Sequence, residues 1–122
     1  MMRILYIEDN PNDAKLVKRY VDTTPHELVV TQSLEQTYEL LSSSQSFDLV
    51  LVDILINNQR SGYELPNRLH EQGYTNNIIA VTALTSAQDT AACKKAGFAA
   101  ILAKPFLITT LADMIAQYSN VA

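Results

Sequence analysis

Leu49-Val50-Leu51-Val52-Asp53 decides the fold, because four aliphatic residues run unbroken into a carboxylate. Continuous apolarity suits a strand buried on both faces, which is the condition of a parallel sheet covered by helices. Ile4 to Ile7 and Ile78 to Val81 repeat the pattern on either side in sequence. Two weaker runs, Leu28-Val29-Val30-Thr31 and Ala99-Ala100-Ile101-Leu102, bring the expected strands to five, the last following Gly97 at a helix end.

Helical stretches fall between these runs. Asn10 is placed to cap a helix from Pro11 to Val21, with Pro11 in the first turn and Ala14, Leu16, Val17 and Tyr20 at helical spacing. Further helices are expected over Leu34 to Leu41, Leu65 to Glu71, Ala87 to Ala96 and Ile108 to Tyr118, with Ser42 to Ser46 as a loop and Thr85-Ser86 as a capping turn. Pro66 lacks the N–H that a helix starting directly after Gly62 needs early on, so this helix is expected to start late or with a distorted first turn. Strict alternation of strands and helices with short connections predicts an α/β fold, a doubly wound parallel sheet with helices on both faces.

The length of 122 residues suits one compact domain, expected to span 1–122 with no linker and no output domain attached. A net charge of -4, with Lys and Arg scattered singly, provides no basic stripe for a nucleic-acid backbone. No run approaches the ~20 apolar residues of a membrane span, so a cytoplasmic protein is expected. The single cysteine, Cys93, excludes an internal disulfide and reads as buried apolar filler.

In an open parallel sheet, ligands bind beyond the carboxyl ends of the strands. Strand one runs into Glu8-Asp9, strand three into Asp53, strand four into Thr82 and strand five into Lys104. Each residue alone has an ordinary explanation as a helix cap or solvated loop residue, but together they aim polar groups at one rim. Clustered carboxylates repel one another unless a cation joins them, and an oxygen-only donor set of Glu8, Asp9 and Asp53 suits Mg²⁺, with Mn²⁺ as the alternative. Such a site leaves a carboxylate oxygen free to attack phosphorus, while metal, hydroxyl and ammonium neutralise the phosphoryl oxygens. Asp53, at the centre, is the best nucleophile.

The motifs Glu8-Asp9, Leu49-Val50-Leu51-Val52-Asp53, Val81-Thr82-Ala83 and Ala103-Lys104-Pro105-Phe106 occur in an order and spacing that resemble the response-regulator receiver family over essentially the whole chain. The resemblance implies a flavodoxin-like sheet of strand order 2-1-3-4-5 and a stand-alone receiver of two-component signalling. It implies that Asp53 accepts the phosphoryl group, Asp9 binds Mg²⁺ directly, Glu8 acts through metal-bound water, and the Leu55 carbonyl adds a ligand. Lys104 would pair with the phosphoryl group, Thr82 would move toward it, and the Lys104-Pro105 bond would be cis. The implied donor is a histidine kinase or histidine phosphotransfer protein, and the implied listener is a downstream protein, with phosphorylation-dependent dimerisation in view. Catalysis would be confined to the protein's own phosphorylation and dephosphorylation.

The chain departs from the family pattern at three places. Ile101 stands three before the lysine, where relatives usually carry an aromatic switch residue. Ile54 to Ser61 holds no proline and is one residue longer before Gly62. Leu55 and Leu84, two beyond Asp53 and Thr82, offer no polar group to orient water, so slow loss of the phosphoryl group is expected. His26 and His70 read as solvated loop and helix residues, while Tyr6, Tyr20 and Tyr38 read as packing and Phe106 as lying under the last helix.

Three alternatives compete. A degenerate receiver that binds its partner without phosphorylation is motivated by Ile101 and the altered loop. A metal-dependent aspartyl phosphohydrolase is disfavoured because Asp53-Ile54-Leu55 lacks a second carboxylate. A nucleotide or flavin domain would need a phosphate cradle after strand one, where Glu8-Asp9-Asn10-Pro11 is acidic instead.

Overall fold

A computed structural model describes residues 1–43 and 45–118, so Ser44 in the expected Ser42 to Ser46 loop and the last four positions of the chain lie outside the described residues. The strands are β1 (Arg3–Ile7), β2 (Glu27–Thr31), β3 (Leu49–Asp53), β4 (Asn77–Thr82) and β5 (Ala100–Ala103). The helices are α1 (Pro11–Val21), α2 (Leu34–Ser42), α3 (Leu65–Glu71), α4 (Ala87–Ala96) and α5 (Ile108–Gln117), with a 3₁₀ turn, Ser61–Glu64, running into α3. All strand pairs are parallel and the order is β2-β1-β3-β4-β5, a doubly wound α/β sheet.

The continuous apolar runs divide by residue parity between two cores, because successive side chains of a strand point to opposite faces. Leu5, Ile7, Val50, Val52, Ile78 and Ala80 pack with Leu65, Leu69, Cys93 and Phe98 on one face. Ile4, Tyr6, Leu49, Leu51, Ile79, Val81 and Leu102 pack with Val17, Val21, Leu111 and Ile115 on the other. Thus α1 and α5 cover one side, and α3 and α4, with partly buried Leu34 and Tyr38 of α2, cover the other. Full burial of each such aliphatic side chain contributes roughly 1.5–3 kcal/mol. Phe106 packs on the α1–α5 side, and Cys93 is buried as a free thiol.

Helix boundaries follow local chemistry. The Asn10 side chain accepts from the N–H groups of Asn12 and Asp13, Ser33 caps α2 through Gln36, and Ser86 caps α4 through Asp89. Gly97 ends α4 at φ 104°, a left-handed conformation that glycine adopts without steric cost. Pro66 is accommodated because the 3₁₀ turn comes first, which places the proline in the first turn of α3.

Several expectations are corrected in detail. Each strand begins or ends one residue away from its expected limit, α2 extends to Ser42, and Tyr118 is the C-cap of α5 rather than its last turn. Leu16, expected on the apolar stripe of α1, is 38% exposed, and Val17 and Val21 carry the burial there. His26 is not a solvated loop residue. It is half-buried, and its Nδ1 accepts the Met2 N–H at 2.9 Å, tying the start of β1 to the start of β2. Among the described residues, no helix is long and apolar enough to cross a membrane.

Candidate functional site

The strand order reverses between β1 and β3, since the chain leaves β1 outward to β2 and returns across it to β3. A crevice opens at that reversal beyond the carboxyl ends of the strands. The β1–β3 register pairs Ile7 with Val52, so Glu8 follows alongside Asp53, and the β4–β5 register pairs Thr82 with Ala103, which delivers Lys104 to the same rim. Sheet register alone therefore assembles residues distant in sequence.

A cleft of about 540 Å³ occupies the reversal, lined among others by Asp9, Asp13, Asp53, Leu55, Asn58 and Lys104. One carboxylate oxygen from each of Glu8, Asp9 and Asp53 lies within 4.8 Å of the others. Lys104 Nζ donates to Glu8 Oε1, to Asp13 Oδ2 at 2.9 Å and to Asp53 Oδ2 at 3.4 Å. Glu8 is fully buried, and its Oε1 also accepts from the Tyr6 hydroxyl at 2.8 Å. Thr82 closes β4 with its hydroxyl accepting the Leu84 N–H at 2.9 Å, and like Glu8 it is absent from the lining of the cleft.

Burial, and after it the neighbouring Glu8 carboxylate, pushes the Asp53 pKa up to about 7, while Lys104 and the Leu55 N–H at 3.1 Å pull it down. Burial works against the Lys104 ammonium, but hydrogen bonds to Glu8 and Asp13 and the charge of Asp53 outweigh it and hold the lysine pKa above its usual value. Tyr6 is pushed far above the ordinary phenol range by burial and by Glu8, so it is a hydrogen-bond donor at any physiological pH.

The segment after Asp53 is built by two devices. Asn57 and Asn58 have φ of 54° and 60°, and Ile56 and Gln59 exchange N–H···O bonds of 3.0 Å, giving a tight two-residue turn of type I′. The turn aims the Asn57 N–H at Asp9 Oδ2, 2.8 Å away. Gly62 then passes so close to the end of β3 that a Cβ there would sit 2.6 Å from the Asp53 carbonyl oxygen. Arg60 pairs with Asp89 of α4 at 2.9 Å, and the buried Tyr63 hydroxyl lies against the Cys93 thiol.

The structure thus brings Glu8, Asp9, Asp53 and Lys104 together, sets Thr82 at the neighbouring strand end, and places Leu55 on the cleft wall. Asp13 and Tyr6 were missed from the sequence as members of the site. Asp13 reads there only as an acidic residue near a helix start, and Tyr6 as core, and the signal for both is their spacing from Asp9 and Glu8. The Lys104-Pro105 bond is cis. The donor set fits a hard divalent cation, because carboxylate oxygens outnumber the single ammonium and include no nitrogen or sulfur ligand.

Residues 4–116 match the family described as response regulator receiver domain. The sensor histidine kinase RcsC of Salmonella typhimurium is 26% identical over 119 residues, covering 98% of this chain and 12% of that protein. The transcriptional regulatory protein CiaR of Streptococcus pneumoniae is 28% identical over 111 residues, covering 91% of this chain and 48% of the relative. The chain therefore spans a minor part of the curated relatives that it matches. Among solved structures, the BeF3-activated N-terminal receiver domain of Klebsiella pneumoniae RstA superposes with a TM-score of 0.85 at 22% identity, covering 97% of this chain and 98% of that one, a likeness of fold.

Proposed function

The chain belongs to the response regulator receiver domain family, a signalling module of two-component systems, and from that premise we propose that it is switched by transfer of a phosphoryl group from a phosphohistidine to Asp53. The observation that carries this reading is the convergence of Lys104, Glu8 and Asp9 on the Asp53 carboxylate at the mouth of an open cleft.

The proposed step is an in-line displacement. An Asp53 oxygen forms the new O–P bond as the N–P bond of the donor breaks, and the electron pair stays with the imidazole, which then takes a proton. Glu8, Asp9 and Asp53 would hold a Mg²⁺ ion, with the Leu55 carbonyl as a further ligand, and the ion when bound supplies charge neutralisation to the phosphoryl oxygens. Lys104, already 3.4 Å from Asp53, neutralises another phosphoryl oxygen, and the Thr82 hydroxyl exchanges the Leu84 N–H for the phosphoryl group. Tyr6 and the Asn57 N–H hold Glu8 and Asp9 in place from behind. Leu55 on the cleft wall and Leu84 beyond Thr82 offer no group to orient an attacking water, so the phosphoryl group is lost slowly. The module acts on no external substrate, and its listener is another protein.

The test is incubation with Mg²⁺ and acetyl phosphate followed by peptide mass spectrometry. A base-labile phosphoryl adduct on Asp53, absent from Asp53→Asn, is the expected result. Failure to form it from small donors or from any kinase would favour the second reading, a receiver that binds its partner without phosphorylation. That reading draws on Ile101, a half-buried aliphatic side chain at the usual aromatic switch position.

A further inference from the structure

Asp13 is the acid in the site that the proposed phosphoryl transfer does not use. It lies in the first turn of α1, its backbone N–H held by the Asn10 side chain, and its carboxylate accepts from Lys104 Nζ at 2.9 Å, closer than Asp53 at 3.4 Å. Its side chain is 37% exposed, whereas those of Glu8 and Asp53 are 0% and 8% exposed. Of the three acids that hold Lys104, Asp13 is therefore the one that faces arriving solutes. It borders both the main cleft and an adjoining depression of about 230 Å³ walled by Leu16, Pro105 and Phe106.

We propose that Asp13 is a positioning residue that competes with Asp53 for Lys104 and thereby selects against small, highly charged phosphoryl donors. This rests on the reading of Asp53 as phosphoacceptor. The geometry supplies two effects of the same sign. For Lys104 to serve a phosphoryl group on Asp53 fully, it must loosen its bond to Asp13, so the carboxylate competes with the transferring group for the ammonium. The exposed negative charge of Asp13 also repels an anionic donor in the approach path, where charge acts on local concentration and on-rate. A donor that brings its own cationic side chain to Asp13 cancels both effects, because it gives the carboxylate a replacement partner and releases Lys104. A protein carrying phosphohistidine beside a basic residue has that chemistry, and a free acyl phosphate does not.

Two small donors of different charge separate this from a structural role. With dianionic acetyl phosphate, the O–P bond to Asp53 forms as the P–O bond to acetate breaks, and acetate leaves with the electron pair. With phosphoramidate as its monoanion, whose nitrogen is already protonated, the N–P bond breaks and ammonia leaves. Initial rates of Asp53 phosphorylation are measured for both donors with Mg²⁺ near neutral pH, in the intact chain and in Asp13→Asn and Asp13→Glu, at low and high salt.

Asp13→Asn is expected to speed acetyl phosphate about fivefold and phosphoramidate less than about twofold, with the difference shrinking as salt screens the charge. Asp13→Glu is expected to keep the unsubstituted ratio. An equal factor for both donors, no change in Asp13→Asn, or a ratio in Asp13→Glu that matches Asp13→Asn would overturn the proposal while leaving Asp53 as acceptor. If neither small donor acts on the unsubstituted chain or on Asp13→Asn, this inference is overturned, and if no histidine kinase phosphorylates Asp53 either, the reading of Asp53 fails with it.

Discussion

Asp53 closes a strand in which all five residues are buried, so its carboxylate is held where water solvates it poorly and Glu8 stands beside it. A carboxylate whose pKa rises to about 7 on folding favours the folded state when protonated. That contribution is complete below the unfolded carboxylate range, near pH 4, and is lost as pH rises through about 7. In metal-free protein, Asp53→Asn should therefore raise Tm by about 5 °C above pH 7, and the gap should close toward pH 4. A Tm difference independent of pH would contradict the assigned cause. Mg²⁺ should raise the Tm of the unsubstituted chain and leave Asp53→Asn nearly unmoved, because ligand that binds only the folded state stabilises it by mass action. Replacing Leu55 and Leu84 together by Asn should speed phosphate release by roughly tenfold, followed as decay of the Asp53 adduct. At this scale the sequence marks residues that end apolar runs, which is why Asp53, Glu8 and Lys104 were legible. Asp13 was not, because a helix-start acid has an ordinary role, and only the cap of α1 by Asn10 turns it toward Lys104.

The connection from β3 to α3 is the element that sequence reading handled least well. Its extra length and missing proline were visible, but Asn-Asn is a weaker signal for a two-residue turn than Asn-Gly, and nothing local announces that the turn docks on Asp9. Gly62 is explained only by its distance to the Asp53 carbonyl. Gly62→Ala should accordingly cost about 2 kcal/mol, because the Cβ meets backbone at both Asp53 and Ile54 and neither can yield without shifting the strand end. Asn58→Gly, at the second positive-φ position, should instead be neutral or stabilising by about 0.5 kcal/mol. Urea unfolding of both variants checks the pair, and a destabilised Asn58→Gly would show that the Asn58 side chain contributes to the cleft beyond its backbone role. By contrast, α1, α3 and α4 begin and end at the residues expected, since their caps and Pro66 act within one turn of sequence.

Across the whole molecule the five strands follow from apolar runs separated by helical stretches, and their order is what the family resemblance implies, but the strength with which each helix is held is legible in neither. The α1 helix seats Val17 and Val21, α3 seats Leu65 and Leu69, and α5 seats Leu111 and Ile115, whereas α4 buries Cys93 as its one fully buried side chain. Besides its packing on β5, it is tied to the site connection by two contacts, Arg60 on Asp89 and Tyr63 on Cys93, one helical turn apart. Asp89 is itself engaged in the cap of α4, accepting from the Ser86 hydroxyl at 2.7 Å. A helix with so little apolar burial opens at lower free energy than the core around it. Amide hydrogen exchange should therefore show α4 losing protection before α1 and α5, and β1, β3 and β4 retaining it longest. Arg60→Ala should speed exchange in α4 by about three- to fivefold, while α1 and α5 exchange unchanged, because a surface-linked ion pair contributes about 1 kcal/mol or less. If exchange in α4 were as slow as in α5, or if Arg60→Ala loosened every helix equally, the connection after Asp53 would not be what holds α4. Ile101 is half-buried against the same core as that connection. The exchange of α4 thus reports on the link between the carboxylate cleft and the helix beside Ile101 without requiring any aromatic side chain to move.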